Sequence, residues 1–527
     1  MLESPSGTAM SYYYPLLLYL GSGGGLLLLG ASAVSRLRAW RKPLSAVWVT
    51  AIALVWALSP TTARWVLSVW GPGRVAGGLL VLDIYPALWW CVLLVLASGA
   101  GVLWLTVSER RADLPLTGML LAIALTVIWL GLSSGSLLML LTMWAVFDVT
   151  WCVVRLVSGA DEERVIWATA LNGAASLVLW VASLFMLRSG DTGLWWLARP
   201  SSPILALLYV AGLVRVGFYP FQVGHVATPR ASSPLALVSA LGPVMGVALL
   251  YRLASLPGGV GAPAWVIGWG CISVLWSGIK ALSHQGRRAV LSAAYGVLLA
   301  NVTGALASSR PDLLVIGTGS WVAASALLMV SRPRRGSATI LALPTLYAVL
   351  TLIGAPPSPL VGSTVGILSD STDLVVRVIY LVGLVLVVAA LLRGMQSRSP
   401  GGDEDAVAVR LVGPRVAGWA LLAGPLVVAS VRTPFFPVVS LALALWLGAV
   451  LVGAALARWG ESVRLSWSKA RPWVELFDLT WLYRATWQGA ENALGVLRVT
   501  ADVVEGSASV LWSVLILLLA LLVIGSR

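Results

Sequence analysis

Asp148 and Arg215 are the residues of this sequence whose type and position could do chemistry, because each stands in the middle of a long apolar run. Asp148 follows Leu141-Thr142-Met143-Trp144-Ala145-Val146-Phe147, and Arg215 lies within Gly212-Leu213-Val214-Arg215-Val216-Gly217-Phe218-Tyr219-Pro220. A lone charge at the centre of a membrane helix costs about 2.5–3.5 kcal/mol even on a lenient insertion scale, so the two are expected to pair or to meet water. The carboxylate can carry a proton; the guanidinium cannot give one up and acts only through its charge. The pattern therefore suits a proton or cation path in which Asp148 titrates, or a static ion pair that fixes two helices.

Other chemistry finds no residues. His225 and His284, the only histidines, stand near expected cytoplasmic span ends. Cys91, Cys152 and Cys271 occur singly inside apolar stretches, a pattern that argues against disulfides, zinc and iron–sulfur ligation. No Gly-rich phosphate loop and no nucleophile with a nearby base occurs, so the sequence assigns the chain no catalytic chemistry, cofactor or metal of its own.

The elements that must position the two charges are membrane spans. Of 527 residues, 59% are hydrophobic and 11% charged, with a mean hydropathy of +0.92; soluble domains carry about 25% charged residues. Apolar runs lie near 12–34, 45–60, 83–107, 115–133, 134–157, 163–188, 203–227, 233–253, 263–283, 289–308, 310–331, 338–368, 372–393, 411–431, 434–457 and 504–525. The net charge of +14 comes without a nucleic-acid motif. It is arranged by side instead. With the N-terminus outside, twenty Lys and Arg fall on cytoplasmic connections and seven, including Arg64 and Arg252, on the other side. That bias places both termini on the external face of a bacterial plasma membrane. The start Met1-Leu2-Glu3-Ser4 has no basic region, so the first run reads as a retained span. The 27 tryptophans read as interfacial belt and packing residues.

Two spans carry breakers: Pro220 in the seventh, and Gly354-Ala355-Pro356-Pro357-Ser358-Pro359 in the twelfth. Proline removes an amide donor, and lipid tolerates such breaks only where protein or a polar cavity satisfies the freed groups. Breaks in matching positions point to inverted repeats with an ion path between them. Residues 458–503 differ in kind. Apolar positions such as Leu482, Ala490, Ala493 and Leu497 alternate with Arg484, Gln488, Glu491 and Arg498 at helical spacing. This amphipathic helix suits a membrane surface or the flank of a partner.

Arg215 to Gln222, with Pro220-Phe221 five residues on, is followed by Ser233-Pro234 and Ser239-Ala240. Here the sequence resembles the antiporter-like subunits of respiratory complex I, membrane-bound hydrogenases and Mrp-type cation/proton antiporters. Gly354-Ala355-Pro356-Pro357 through Gly362-Ser363-Thr364 is similar to the family's broken twelfth helix, and Arg287-Arg288-Ala289-Val290-Leu291 to its Lys-Arg-Val-Leu-Ala-Tyr stretch. The segment Leu476 to Arg484 resembles the start of the lateral helix that distal members carry.

The resemblance implies an all-α polytopic membrane protein with about 14 core transmembrane helices in two inverted repeats, helices 7 and 12 broken. Two extra spans joined by a lateral amphipathic helix complete it. Its divisions would be N-terminal helices 1–110, repeats 111–253 and 254–431, an extra span 432–457, the lateral helix 458–503 and a C-terminal span 504–527. Asp148 falls where the family keeps a glutamate, Arg215 on its seventh-helix lysine and Thr364 on its twelfth-helix lysine. Tyr295 stands near the tenth-helix polar site, while Ala240 or Val244 takes the eighth-helix position. The implied ion-translocation set is Asp148, Arg215, Tyr295 and Thr364. The implied function is proton or sodium translocation within a multi-subunit complex, with any redox reaction in other subunits. The alternatives are a non-pumping scaffold in such a complex and the membrane subunit of a dissolved-inorganic-carbon uptake system. Partners would be other membrane subunits braced by 458–503, possible redox subunits and lipid, with no nucleic acid.

Overall fold

A computed structural model describes residues 40–69, 79–107, 117–159, 162–189, 193–222, 233–258, 261–284, 286–330, 339–356, 358–369, 373–396, 412–432 and 441–477, with single positions elsewhere. The expected first span and the C-terminal span 504–527 lie largely or wholly outside the described residues, as does most of 478–503. Residues 1–468 form one unit and 469–527 a second.

The chain is a multi-pass helical membrane protein. Its helices are α1 (Arg41–Ala57), α2 (Pro86–Val107), α3 (Thr117–Leu132), α4 (Leu137–Val157), α5 (Glu162–Arg188) and α6 (Ser202–Val216). They continue as α7 (Ser233–Ala240), α8 (Gly242–Ala254), α9 (Ala264–Ser283), α10 (Gly286–Ala307), α11 (Pro311–Val330) and α12 (Thr339–Ile353). Last come α13 (Leu360–Ser369), α14 (Leu374–Gln396), α15 (Val412–Arg432) and α16 (Leu441–Phe477). Nine described helices are long and apolar enough to cross a membrane, α7 with α8 counting as one, and six shorter apolar helices accompany them. Each apolar run expected between residues 45 and 457 falls on one or two of these helices.

One element departs from the all-α expectation. Residues Ala63–Val69 (β1) and Leu79–Ile84 (β2) form an antiparallel hairpin. Exposure alternates along Ala63 to Leu67, the period of a half-buried strand, in a stretch too short and charged to read as a span. Asp83 N donates to Ser133 O at 2.8 Å and Gly135 N to Val81 O at 2.6 Å, so the hairpin is tied to the α3–α4 connection.

Helix α6 packs between α5 and α8, and α4 against α5, α7 and α8. The α6–α8 approach depends on glycine. A Cβ on Gly246 would lie 2.6 Å from Val216 N and 2.9 Å from Gly212 O. Gly246→Val must therefore push α8 off α6, at a cost of about 1–3 kcal/mol. Its thermal midpoint in detergent should fall, whereas Gly268→Ala, where a Cβ meets nothing within 4 Å, should leave the midpoint unchanged.

Candidate functional site

Helix α4 starts at Ser136, whose hydroxyl accepts a hydrogen bond from Met139 N at 3.3 Å, and reaches Asp148 in mid-span. Arg215 sits in the last turn of α6. The two meet: Arg215 Nη1 is 2.6 Å from Asp148 Oδ1, with the arginine side chain 0% exposed and the aspartate 15%. The contact is one of charge rather than of aligned hydrogen bonds. Among the described residues neither of those atoms, nor Arg215 Nε and Nη2, has a hydrogen-bond partner. Aromatic faces make up part of the difference. The guanidinium carbon lies 4.9 Å from the Trp144 ring centroid and 5.8 Å from that of Phe147, contacts worth up to about 2 kcal/mol when desolvated. Positions 144, 147 and 148 share one helical face, so a single turn of α4 supplies both rings and the carboxylate. Ser176 of α5 brings its hydroxyl within 3.4 Å of Asp148 Oδ2.

The indoles reported by the sequence as belt and packing residues have a further duty here. Pro243 lacks an amide hydrogen, which leaves the Ser239 carbonyl without its helical donor; Trp151 Nε1 donates to that oxygen at 3.2 Å. Trp144 Nε1 donates to Met245 O at 3.2 Å. The ring that stacks on Arg215 is thus held in place by α8.

Each helix break is capped in the same manner. Helix α6 ends on Gly217 at φ +84°, a left-handed conformation natural to glycine. The Tyr295 hydroxyl of α10 lies 2.5 Å from Val216 O and 2.8 Å from Gly217 O, where it donates to carbonyls left over by the helix end. Next to Pro220, Tyr219 N donates to Ser273 Oγ at 3.0 Å and Tyr219 O accepts from Trp269 Nε1 at 2.5 Å. Helix α12 ends before Gly354 at φ +79°. There Trp446 Nε1 donates to Ile353 O at 3.3 Å and Ser358 Oγ to Thr351 O at 3.1 Å. Pro356 is exposed on that turn, and Pro357 lies outside the described residues.

The four candidate residues are therefore not equivalent. Asp148 and Arg215 touch, and Tyr295 grips the backbone one residue beyond Arg215. Thr364 hydrogen-bonds within α13, to Leu360 O at 3.2 Å and Val361 O at 2.9 Å. The interhelical polar contact at the second break belongs to its neighbour. Ser363 Oγ donates to Asn301 Oδ1 at 2.8 Å, and Asn301 Nδ2 donates to Leu314 O at 3.2 Å. Sequence reasoning passed over Asn301, although an amide inside the run 289–308 was the available signal.

A second acid, Asp83, is buried at a span end. Asp83, at the end of β2, lies between two arginines: Arg64 Nε is 3.1 Å from Oδ1 and Arg252 Nη1 3.2 Å from Oδ2. Arg252 Nη2 also donates to Asp83 O at 2.7 Å. Arg64 stacks over Trp196 at 3.9 Å, and Arg252 lies 5.5 Å from the Tyr251 ring centroid. Just outside α2, burial and then the Asp83 charge raise the Tyr85 phenol above its ordinary value. Asp83 was missed because it lies at a span end, where acids are usually solvated.

No family model and no curated protein matches the sequence. Solved structures do match. A chain of the Mrp complex from Dietzia sp. DQ12-45-1b aligns with a TM-score of 0.70 at 16% identity, over 97% of this chain and 62% of that one. A chain of the membrane-bound sulfane sulfur reductase, an archaeal respiratory membrane complex, aligns with 0.69 at 15% identity over 97% and 100%. A chain of respiratory complex I from Thermus thermophilus aligns with 0.63 at 15% identity over 84% and 99%. The chain has their fold. It spans 62% of the length of the Mrp-complex chain. The helical, multi-pass character implied by the motifs at Arg215–Gln222 and Gly354–Thr364 is thus shared with chains of such assemblies.

Two variants test the charged clusters. Asp83→Leu strands a buried arginine and should cost about 3–5 kcal/mol in detergent unfolding, most of it regained in Asp83→Leu with Arg252→Met. Arg215→Lys keeps the charge but loses the plane that stacks on Trp144. It should cost about 1–2 kcal/mol, and the loss should shrink when measured in a Trp144→Leu background.

Proposed function

We propose that the chain is an antiporter-like membrane subunit of a multi-subunit ion-translocating complex of the complex I-like, hydrogenase-like or Mrp-like kind. Asp148 is its titrating group and Arg215 its fixed counter-charge. The buried 2.6 Å pair carries this reading. Of the two partners only the carboxyl group can take up and release a proton, because the guanidinium keeps its own. Tyr295, bonded beside Arg215, positions that cation, and Thr364 lies one turn into the helix after the second break. The membership of the similar chains in Mrp, sulfane sulfur reductase and complex I assemblies supports a role in a complex rather than alone.

The repeats 111–253 and 254–431 fit the same reading, because both breaks end on a left-handed glycine with side-chain donors on the freed carbonyls. Arg64 and Arg252, which the charge count assigns to one side, share Asp83, as that count requires. Residues 458–503 are read as the brace against neighbouring subunits.

A scaffold role is the second reading, and one observation favours it. Among the described residues of 254–396 no charged side chain stands in mid-span, and Asn301 and Ser363 satisfy each other. Asp148→Asn separates the two. If the residue titrates in transport, the variant assembles normally and inverted vesicles lose ion translocation by tenfold or more. Undiminished coupled transport in an intact complex would leave only the scaffold.

A further inference from the structure

Four buried donors gather where β2 meets the connection between α3 and α4, and none has an acceptor among the described residues: Trp129 Nε1, Ser133 Oγ, Trp195 Nε1 and Arg252 Nε. Their residues are at most 3% exposed. Short contacts place them in one neighbourhood. Ser133 N donates to Trp129 O at 3.0 Å, so both residues stand on one face at the end of α3. Ser133 O accepts from Asp83 N at 2.8 Å, Arg252 Nη2 is 3.4 Å from the adjoining Leu132 O, and Trp195 N donates to Gly135 O at 3.2 Å. An indole or a guanidinium nitrogen can only donate, and native interiors leave few such groups unmet.

The acceptors nearby are already taken. Asp83 gives one oxygen to Arg64 and the other to Arg252. Asp191, on the connection that carries Trp195, gives its two to the Gly193 and Arg199 amides. The carbonyls of Leu132, Ser133 and Gly135 each hold a donor. Two arginines against one carboxylate also leave one positive charge, and Arg252 carries its charge almost wholly out of solvent. A water answers neither need, since it brings two further donors and no charge. An anion answers both. From these unmet donors and the surplus cation, we infer that the chain holds a small monovalent anion of the halide class between Arg252, Ser133, Trp195 and Trp129. A monatomic anion suits donors arriving from three separate segments, because it imposes no lone-pair directions, and a single charge is far less costly to desolvate than a double one. The anion completes the clamp that ties β2 to the ends of α3 and α8. The site shares no residue with the Asp148–Arg215 pair and stands apart from the proposed role in ion translocation.

The test uses the full-length protein extracted from its membrane in mild detergent. Thermal midpoints are read in sodium chloride and in sodium gluconate, whose anion is too bulky for the site, at equal ionic strength. Binding of radiolabelled chloride is counted alongside. The wild-type midpoint should rise with chloride and follow a saturating curve, and bromide should replace chloride in both readouts. Ser133→Ala and Trp195→Phe each delete one donor and leave Asp83 and both arginines in place. Each should raise the half-saturating chloride concentration by about fivefold or more, while the midpoint in gluconate stays level or rises, because a buried donor with nothing to meet is better removed. A purely structural role for these side chains predicts the same loss in both salts. That result would overturn the site, as would a midpoint indifferent to chloride, or chloride binding that neither variant weakens. If Trp195→Phe does not fold, Ser133→Ala, which removes a single oxygen, decides alone.

Discussion

A buried guanidinium that cannot shed its proton sets the terms for the charged half of this molecule. Arg215 is inserted in mid-span with no exposed surface, and hydrocarbon offers it nothing. The protein must therefore bring charge and polarisable faces to it. One turn of α4 does so with Asp148, Trp144 and Phe147, and that turn is useful only if α4 is held in one rotation and depth. The indole donations from Trp144 and Trp151 to α8 and α7 hold it, and the glycine contact of α8 with α6 closes the triangle. Charge, ring and backbone contacts thus depend on one another rather than adding independently.

The helix breaks follow from the same dry surroundings. Ending a helix inside a membrane releases carbonyls that water would otherwise satisfy. Tyr295 and Trp446 each donate to those carbonyls from another helix. The Tyr295 hydroxyl fixes the end of α6 and thereby the position of the arginine one residue earlier. A phenol so engaged has its hydrogen committed to the carbonyls at the end of α6.

Much of this was legible in the sequence. The spans could be read because apolar length is a strong signal, and the Asp148–Arg215 pairing because the cost of two separate buried charges exceeds that of one pair. Pro220 and Gly354 with its prolines marked the breaks for the same reason. What escaped was contact between residues far apart in sequence. Nothing local distinguishes Trp151, which caps a carbonyl freed by Pro243, from an interfacial tryptophan. Asp83 looked like a solvated span end until β2 and Arg252 came together 169 residues apart. The hairpin itself was hidden by its shortness, since a seven-residue strand in a connection competes with ordinary loop composition.

The two charged clusters divide the work along α8. Gly246 is level with Val216, and Arg252 lies six residues further, about 9 Å along the axis. One cluster is mid-span and has a carboxylate edge at the surface; the other ties the hairpin, the end of α3 and the end of α8 together with two cations on one carboxylate. The second arrangement has its carboxylate paired on both oxygens, by Arg64 and Arg252. Asp148 has one oxygen committed and one only weakly held. Of the two acids, only Asp148 keeps an oxygen with no cation on it, in contact with the Ser176 hydroxyl.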